Sequence, residues 1–221
     1  MSVAENIAEI RNSIPQNVSL IAISKTRSRE EILEAYNFGQ RDFGENKAQE
    51  MISKASSLPE DIRWHLVGHL QTNKVKQIAP FVHLIHSVDS LKLLSEINKE
   101  GDRNNRIINC LLQFYIATEE TKFGLSLDEG IELLESEDFK SMKNISISGV
   151  MGMASFTEDI ERVKSEFHEL FHIFTIVGNR FFSNLQHFKD VSMGMSGDYE
   201  LAIEEGSTMV RLGTIIFGKR N

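Results

Sequence analysis

Short apolar runs alternate with longer amphipathic stretches along the whole chain. Val3, Ile7 and Ile10 share one face of a predicted first helix over Val3 to Asn12. Val18 to Ser24, with Leu20 to Ile23 continuously apolar, has the pattern of a buried strand. Ser28-Arg29-Glu30-Glu31 then has capping-box spacing, opening a helix to about Phe38 that Gly39 ends. The same unit recurs. Predicted strands cover Arg41 to Glu45, Arg63 to Gly68, Val82 to Val88, Ile107 to Tyr115, Ile145 to Met153, Asp190 to Met195 and Thr208 to Leu212. Predicted helices follow at Lys47 to Ser56, Asn73 to Ala79, from Asp89 or Ser90 to Lys99, from Ser126, at Thr157 to Ile176 and at Tyr199 to Glu205, and Thr214 to Gly218 is a short tail. Strand-then-helix repetition implies parallel strands joined by right-handed crossovers. Eight such units favour an α/β fold of one (β/α)8 TIM barrel with an N-terminal helix, a single domain over residues 1–221. An open doubly wound sheet is the rival, because strand count alone does not close a sheet.

Composition narrows the classes. Apolar residues make up 41% and charged residues 25% of the 221, the balance of a folded globular chain. The net charge of −8 argues against a nucleic-acid binder, which needs a basic face. No apolar run is long enough for a membrane span, and the N-terminus has no signal-peptide pattern, so a cytoplasmic protein is expected. The lone Cys110 sits in an apolar run and reads as a buried core thiol.

Barrel chemistry gathers at the C-terminal strand ends. The polar residues falling there are Lys25, Glu45, Asn46, His69, Gln71, His86, Ser87, Asp89, Gln113, Ser196, Arg211, Gly213 and Thr214. Lys25 ends an apolar strand, where desolvation would free its amine for attack on an aldehyde. A solvated lysine at a strand end would have the same sequence. Ser192 to Asp198 and Met209 to Thr214 place glycines and hydroxyls in the loops after strands seven and eight, where barrels often hold phosphate. Two ordinary glycine turns are the alternative there. Arg211 alternates with Val210 and Leu212, so it points away from them toward a phosphate, a ring nitrogen or a structural carboxylate. His65/His69 and His83/His86 have tempting metal-ligand spacings, but neither pair lies in a helix, and no metal is expected.

Several segments together resemble the pyridoxal 5′-phosphate (PLP) homeostasis proteins, the YggS/PROSC group. They are Ile23-Ser24-Lys25-Thr26, Phe43-Gly44-Glu45-Asn46, Trp64 to Lys74, His86-Ser87-Val88-Asp89, Glu119 to Leu125, Gly149-Val150-Met151, Ser192 to Asp198 and Gly206 to Gly213. The resemblance spans nearly the whole chain. It implies a barrel similar to the barrel domain of alanine racemase, without that enzyme's β domain. It further implies PLP as cofactor, a Schiff base on Lys25 and a phosphate cradle of Ser196 with Gly213 and Thr214. Arg211 would face the pyridine nitrogen, and Asn46 would lie beside the ring. Two segments depart from the family: Gln113-Phe114-Tyr115 and Gly152-Met153-Ala154-Ser155. An arginine at the pyridine nitrogen makes PLP a weak electron sink, and of the tyrosines only Tyr115 and Tyr199 are candidates for a second acid–base near the mouth. The resemblance therefore implies vitamin B6 homeostasis with little or no catalysis by a monomer that hands PLP to apo-enzymes. A small PLP-dependent amino-acid racemase and a PLP-free, Lys25-dependent sugar-phosphate aldolase are the alternatives.

Overall fold

The strands close on themselves. The computed structural model describes residues 2–117, 123–183 and 185–219; Glu119 to Lys122 of the family-like segments, and the last two residues, lie outside these. Strands β1 (Ser19–Ile23), β2 (Asp42–Glu45), β3 (Arg63–Leu66), β4 (Leu84–Val88), β5 (Ile108–Gln113), β6 (Ile145–Met151), β7 (Asp190–Met195) and β8 (Met209–Leu212) pair in chain order, all parallel. β8 then pairs with β1 from Ser19↔Met209 to Ala22↔Leu212, which makes a barrel and excludes the open sheet. Around it lie α1 (Val3–Ser13), α2 (Arg29–Asn37), α3 (Ala48–Ala55), α4 (Val75–Ile78), α5 (Leu91–Arg103), α6 (Leu127–Glu135), α7 (Glu137–Ser141), α8 (Ile160–Phe181), α9 (Tyr199–Glu204) and α10 (Thr214–Phe217). Among the described residues no helix is long and apolar enough to cross a membrane.

The capping boxes expected at Ser28 and Ser126 both form: each serine accepts the N3 amide, and each N3 glutamate accepts the serine's own N–H. Ser2 forms a third, and Ser90 rather than Asp89 caps α5. Other boundaries differ from expectation. α8 starts at Ile160 because Asp159 accepts the Arg162 amide at 3.1 Å. It then runs beyond Ile176, since Gly178 faces the Phe188 ring and does not break the helix. β5 stops at Gln113, where the chain turns outward and Phe114 bridges to Leu125. The Phe114 ring seats on Gly130 of α6, where a Cβ would lie 2.6 Å from it.

Strand alternation divides the core in two. Leu20, Ala22, Phe43, Trp64, Leu66, Ile85, Cys110, Leu112, Val150, Val210 and Leu212 face the helices in one large cluster, so Cys110 is the core thiol expected. Leu84, Leu111, Met151 and Met209 pack separately inside the barrel. Lys25 and Asn46 continue the inward parity of Ile21-Ile23 and Asp42-Gly44, whereas Glu45 has the outward parity of Phe43.

At Gly44 the interior is filled from β1. A Cβ there would lie 2.5 Å from Ile23 Cδ1 and 3.2 Å from Ile21 Cγ2. Gly44→Ala should therefore destabilise the fold by about 1–3 kcal/mol through overpacking. The readout is a lower urea midpoint at unchanged m-value.

Candidate functional site

A cavity of about 410 Å³ opens at the C-terminal end of the strands. Lys25, Asn46, Ser196, Arg211, Gly213 and Thr214 all line it, although they come from four strand ends spread over most of the chain. Ile23, Val67, Met153 and Val163 add apolar wall. Other polar strand-end residues do not line it. His69 is exposed and lies 3.4 Å from Asp89. Ser87 donates to the Gly68 carbonyl at 2.7 Å, and Gln113 Nε2 donates to the Phe123 carbonyl at 3.0 Å. None of the three tyrosines lines the cavity, and Tyr36 instead donates to Asp61 at 2.6 Å.

The corner that carries Lys25 is clamped on both sides. Arg27 N–H donates to the Ser24 carbonyl at 3.0 Å, closing a four-residue turn, and within it Thr26 has φ of 65°. A β-branched residue with positive φ is rare and is held only by its surroundings. Here the Glu50 carboxylate accepts the Thr26 amide at 2.5 Å. Lys54 Nζ, from α3, donates to the Ser24 carbonyl at 2.6 Å and to both Glu45 and Glu50 at 2.7 Å. Ser24 Oγ donates to Glu45 at 2.6 Å. Glu45 is thus not a mouth residue: its outward parity aims it at α3, and it holds the turn from behind. Burial raises its pKa against the opposing pull of Lys54 and Ser24, and its Oε2 has no hydrogen-bond partner among the described residues. Sequence position could not find this clamp, since Glu50 and Lys54 are an ordinary i,i+4 helix pair.

Arg211 is fully buried in the barrel, and burial lowers its pKa to about 10 against the opposing charge of Asp198. It donates from Nη1 to Ser192 Oγ at 2.7 Å and from Nη2 to the Gly152 carbonyl at 2.9 Å. No carboxylate lies within ion-pair distance of it among the described residues, which disposes of the structural ion pair.

Behind Ser192 a hydrogen-bonded chain runs down the barrel. Ser192 Oγ is 2.9 Å from His86 Nδ1, His86 Nε2 is 2.9 Å from His65 Nδ1, and His65 Nε2 is 3.1 Å from Asp42 Oδ1. Burial holds the His86 pKa well below normal, and the Arg211 charge adds to this, so the ring is neutral. One set of proton positions satisfies every link: Arg211 to Ser192, Ser192 to His86, His86 to His65, His65 to Asp42, each donating to the next. At the far end, Asp42 also accepts two hydrogen bonds from Arg63. Burial alone would raise its pKa, but the Arg63 and His65 hydrogen bonds and charges hold it well below the usual range. Sequence spacing had paired His65 with His69 and His83 with His86; the sheet pairs histidines across β3 and β4 instead.

The loops after β7 and β8 meet at the cavity. Gly213 N–H donates to Ser196 Oγ at 3.3 Å, and Asp198 Oδ1 accepts the Met195 amide, tying the β7 turn. After β6, Met153, Ala154 and Ser155 form one wall. Glu166 of α8 fixes that wall by accepting from Ser155 N–H at 2.6 Å and from Ser155 Oγ at 2.7 Å.

Fold and site together define a (β/α)8 barrel with a lysine and the loops after β7 and β8 meeting in a cavity at its C-terminal face. The chain belongs to the alanine racemase N-terminal domain family, which matches it over residues 1–221, and within that family to the pyridoxal phosphate homeostasis proteins. The pyridoxal phosphate homeostasis protein of Aquifex aeolicus (strain VF5) is 39% identical over 202 residues, 91% of this chain and 86% of the relative. PipY of Synechococcus elongatus PCC7942, solved with PLP bound, is 32% identical, with a TM-score of 0.87 over 98% of this chain and all of its own. An alanine racemase of Clostridium difficile 630 is 13% identical and shares the fold, with a TM-score of 0.76 over 99% of this chain and 56% of its own.

Lys54→Met leaves Glu45 buried without its cation and should destabilise the fold at neutral pH by about 3–5 kcal/mol. Because the folded-state pKa of Glu45 is raised, its protonated form is the one the fold prefers. The penalty should therefore shrink as pH falls from neutral through the raised folded-state value, and be largely gone by the unfolded glutamate value of about 4.3. Urea unfolding of both proteins at pH 7 and pH 4 measures this; an equal penalty at the two pH values would refute it.

Proposed function

We propose that this chain binds PLP in the mouth cavity and serves intracellular vitamin B6 homeostasis, holding the cofactor and passing it to apo-enzymes. The observation that carries the reading is the convergence on one cavity of Lys25, an arginine with no carboxylate at ion-pair distance among the described residues, and the Ser196 and Gly213-Thr214 loops. The chemistry of this set fits PLP at each end. Lys25 offers a primary amine to an aldehyde, and its corner is held rigid from behind. Ser196 Oγ and the Gly213 and Thr214 backbone suit a phosphate, as glycine and helix-start amides commonly do. Arg211 has only donors, so it suits an unprotonated ring nitrogen, and Asn46 is the polar neighbour on the β2 side. When bound, PLP supplies an electron-withdrawing ring, and an arginine at its nitrogen weakens that property. This favours storage over turnover. The names of the homeostasis-protein relatives, and the PLP held by PipY, support the assignment. We read the protein as a cytoplasmic monomer without a nucleic-acid or membrane partner.

The purified protein should absorb in the visible, and borohydride reduction should fix a pyridoxyl group on Lys25, read by peptide mass spectrometry. Lys25→Ala should lose both signals. Ser196→Ala, losing one hydrogen bond to a charged group, should weaken PLP binding roughly tenfold. For the carrier role, an apo-enzyme should regain activity faster from the loaded protein than spontaneous PLP release allows. No pyridoxyl adduct after incubation with PLP would refute the site, and transfer no faster than release would refute the hand-over.

A further inference from the structure

The barrel floor, opposite the cavity, gathers a second set of functional side chains. Asp42 opens β2, His65 lies inside β3, and His83 immediately precedes β4. One ligand atom from each lies within 4.8 Å of the other two. His65 Nε2 and Asp42 Oδ1 are already 3.1 Å apart, about the separation that two ligands of one ion require. The His65 and His83 ring centroids are 5.3 Å apart. His83 is exposed while His65 is buried, so the group is open to solvent on one side only.

We propose that Asp42, His65 and His83 form a site for a divalent transition-metal ion of the zinc type. Two imidazoles and one carboxylate are the donor set such ions prefer over magnesium or calcium, and the open side leaves room for water as a fourth ligand. A ligating histidine needs its second ring nitrogen held. His65 meets this requirement: its Nδ1 is 2.9 Å from His86 Nε2, within the chain that ends at Arg211. With an ion on Nε2, His65 carries its proton on Nδ1 and donates it to His86 Nε2, and His86 switches to its Nδ1–H tautomer and donates to Ser192 Oγ, reversing those two links of the chain. The competitor is Arg63, which donates to both oxygens of Asp42. Its side chain is 48% exposed and free to swing outward, so the ion displaces it.

The test is calorimetric titration of the full chain with zinc chloride in chelator-free buffer. One ion should bind per chain. His83→Ala, at an exposed position and checked for an unchanged thermal midpoint, should bind at least about tenfold more weakly, the cost expected for one lost ligand. Arg63→Ala, which frees Asp42, should bind more tightly than the parent. His168→Ala, at an exposed histidine on α8, controls for casual surface binding and should leave affinity unchanged. Absence of stoichiometric binding, His83→Ala binding like the parent, or Arg63→Ala binding no more tightly would each overturn the three-residue site.

Discussion

A guanidinium buried at the axis of a barrel sets the terms for everything around it. Arg211 is cut off from water, and among the described residues no carboxylate neutralises it at contact distance. An arginine so placed survives only if its donors are occupied and the charge is tolerated. Ser192 and the Gly152 carbonyl meet the first requirement. Neutral His86 and then His65 meet the second by passing hydrogen-bond polarity down to Asp42, whose charge is kept at the floor. Interior positions that would ordinarily hold branched aliphatic residues are polar in β3, β4 and β7 for this reason, and Leu84, Leu111, Met151 and Met209 fill the rest.

The lysine corner depends on the same economy of buried charge. Thr26 would not hold a positive φ in a free loop, but Glu50 takes its amide, and Lys54 ties Glu50 to Glu45 and to the Ser24 carbonyl. The strain is thereby supported by α3, a rigid element, rather than by the loop itself. The amine-bearing residue is carried on a corner held by hydrogen bonds from the protein's own side chains. The opposite wall follows the same plan, with Glu166 of α8 gripping Ser155.

Much of this was legible from the chain alone. The period of apolar runs named eight strand–helix units, and all eight strands exist near their expected places, because the helix-facing positions of every strand but β2's Glu45 and β4's Ser87 carry apolar residues even where the interior positions are polar. The barrel-end rule, joined to the family resemblance, named Lys25, Asn46, Ser196, Arg211, Gly213 and Thr214, and all six line one cavity. Short capping signals such as Ser28-Arg29-Glu30-Glu31 were dependable because their hydrogen bonds close within four residues. α8 shows the limit: its last turns persist past Gly178 because of a contact with Phe188, which lies beyond the helix itself.

Closure of the sheet, the direction of each polar side chain and the identity of its partner were decided only by the tertiary structure. Glu45 and Asn46 are neighbours in sequence, yet one faces α3 and the other the cavity, since alternation sends consecutive residues to opposite sides of a strand. His65 meets His86 and Asp42 rather than His69, because strand register brings together residues that spacing along the chain keeps apart. A sequence records which groups are present at each step of a strand. Which of them share a buried space depends on pairing between strands distant in sequence, and that is fixed only when all eight are closed into one barrel.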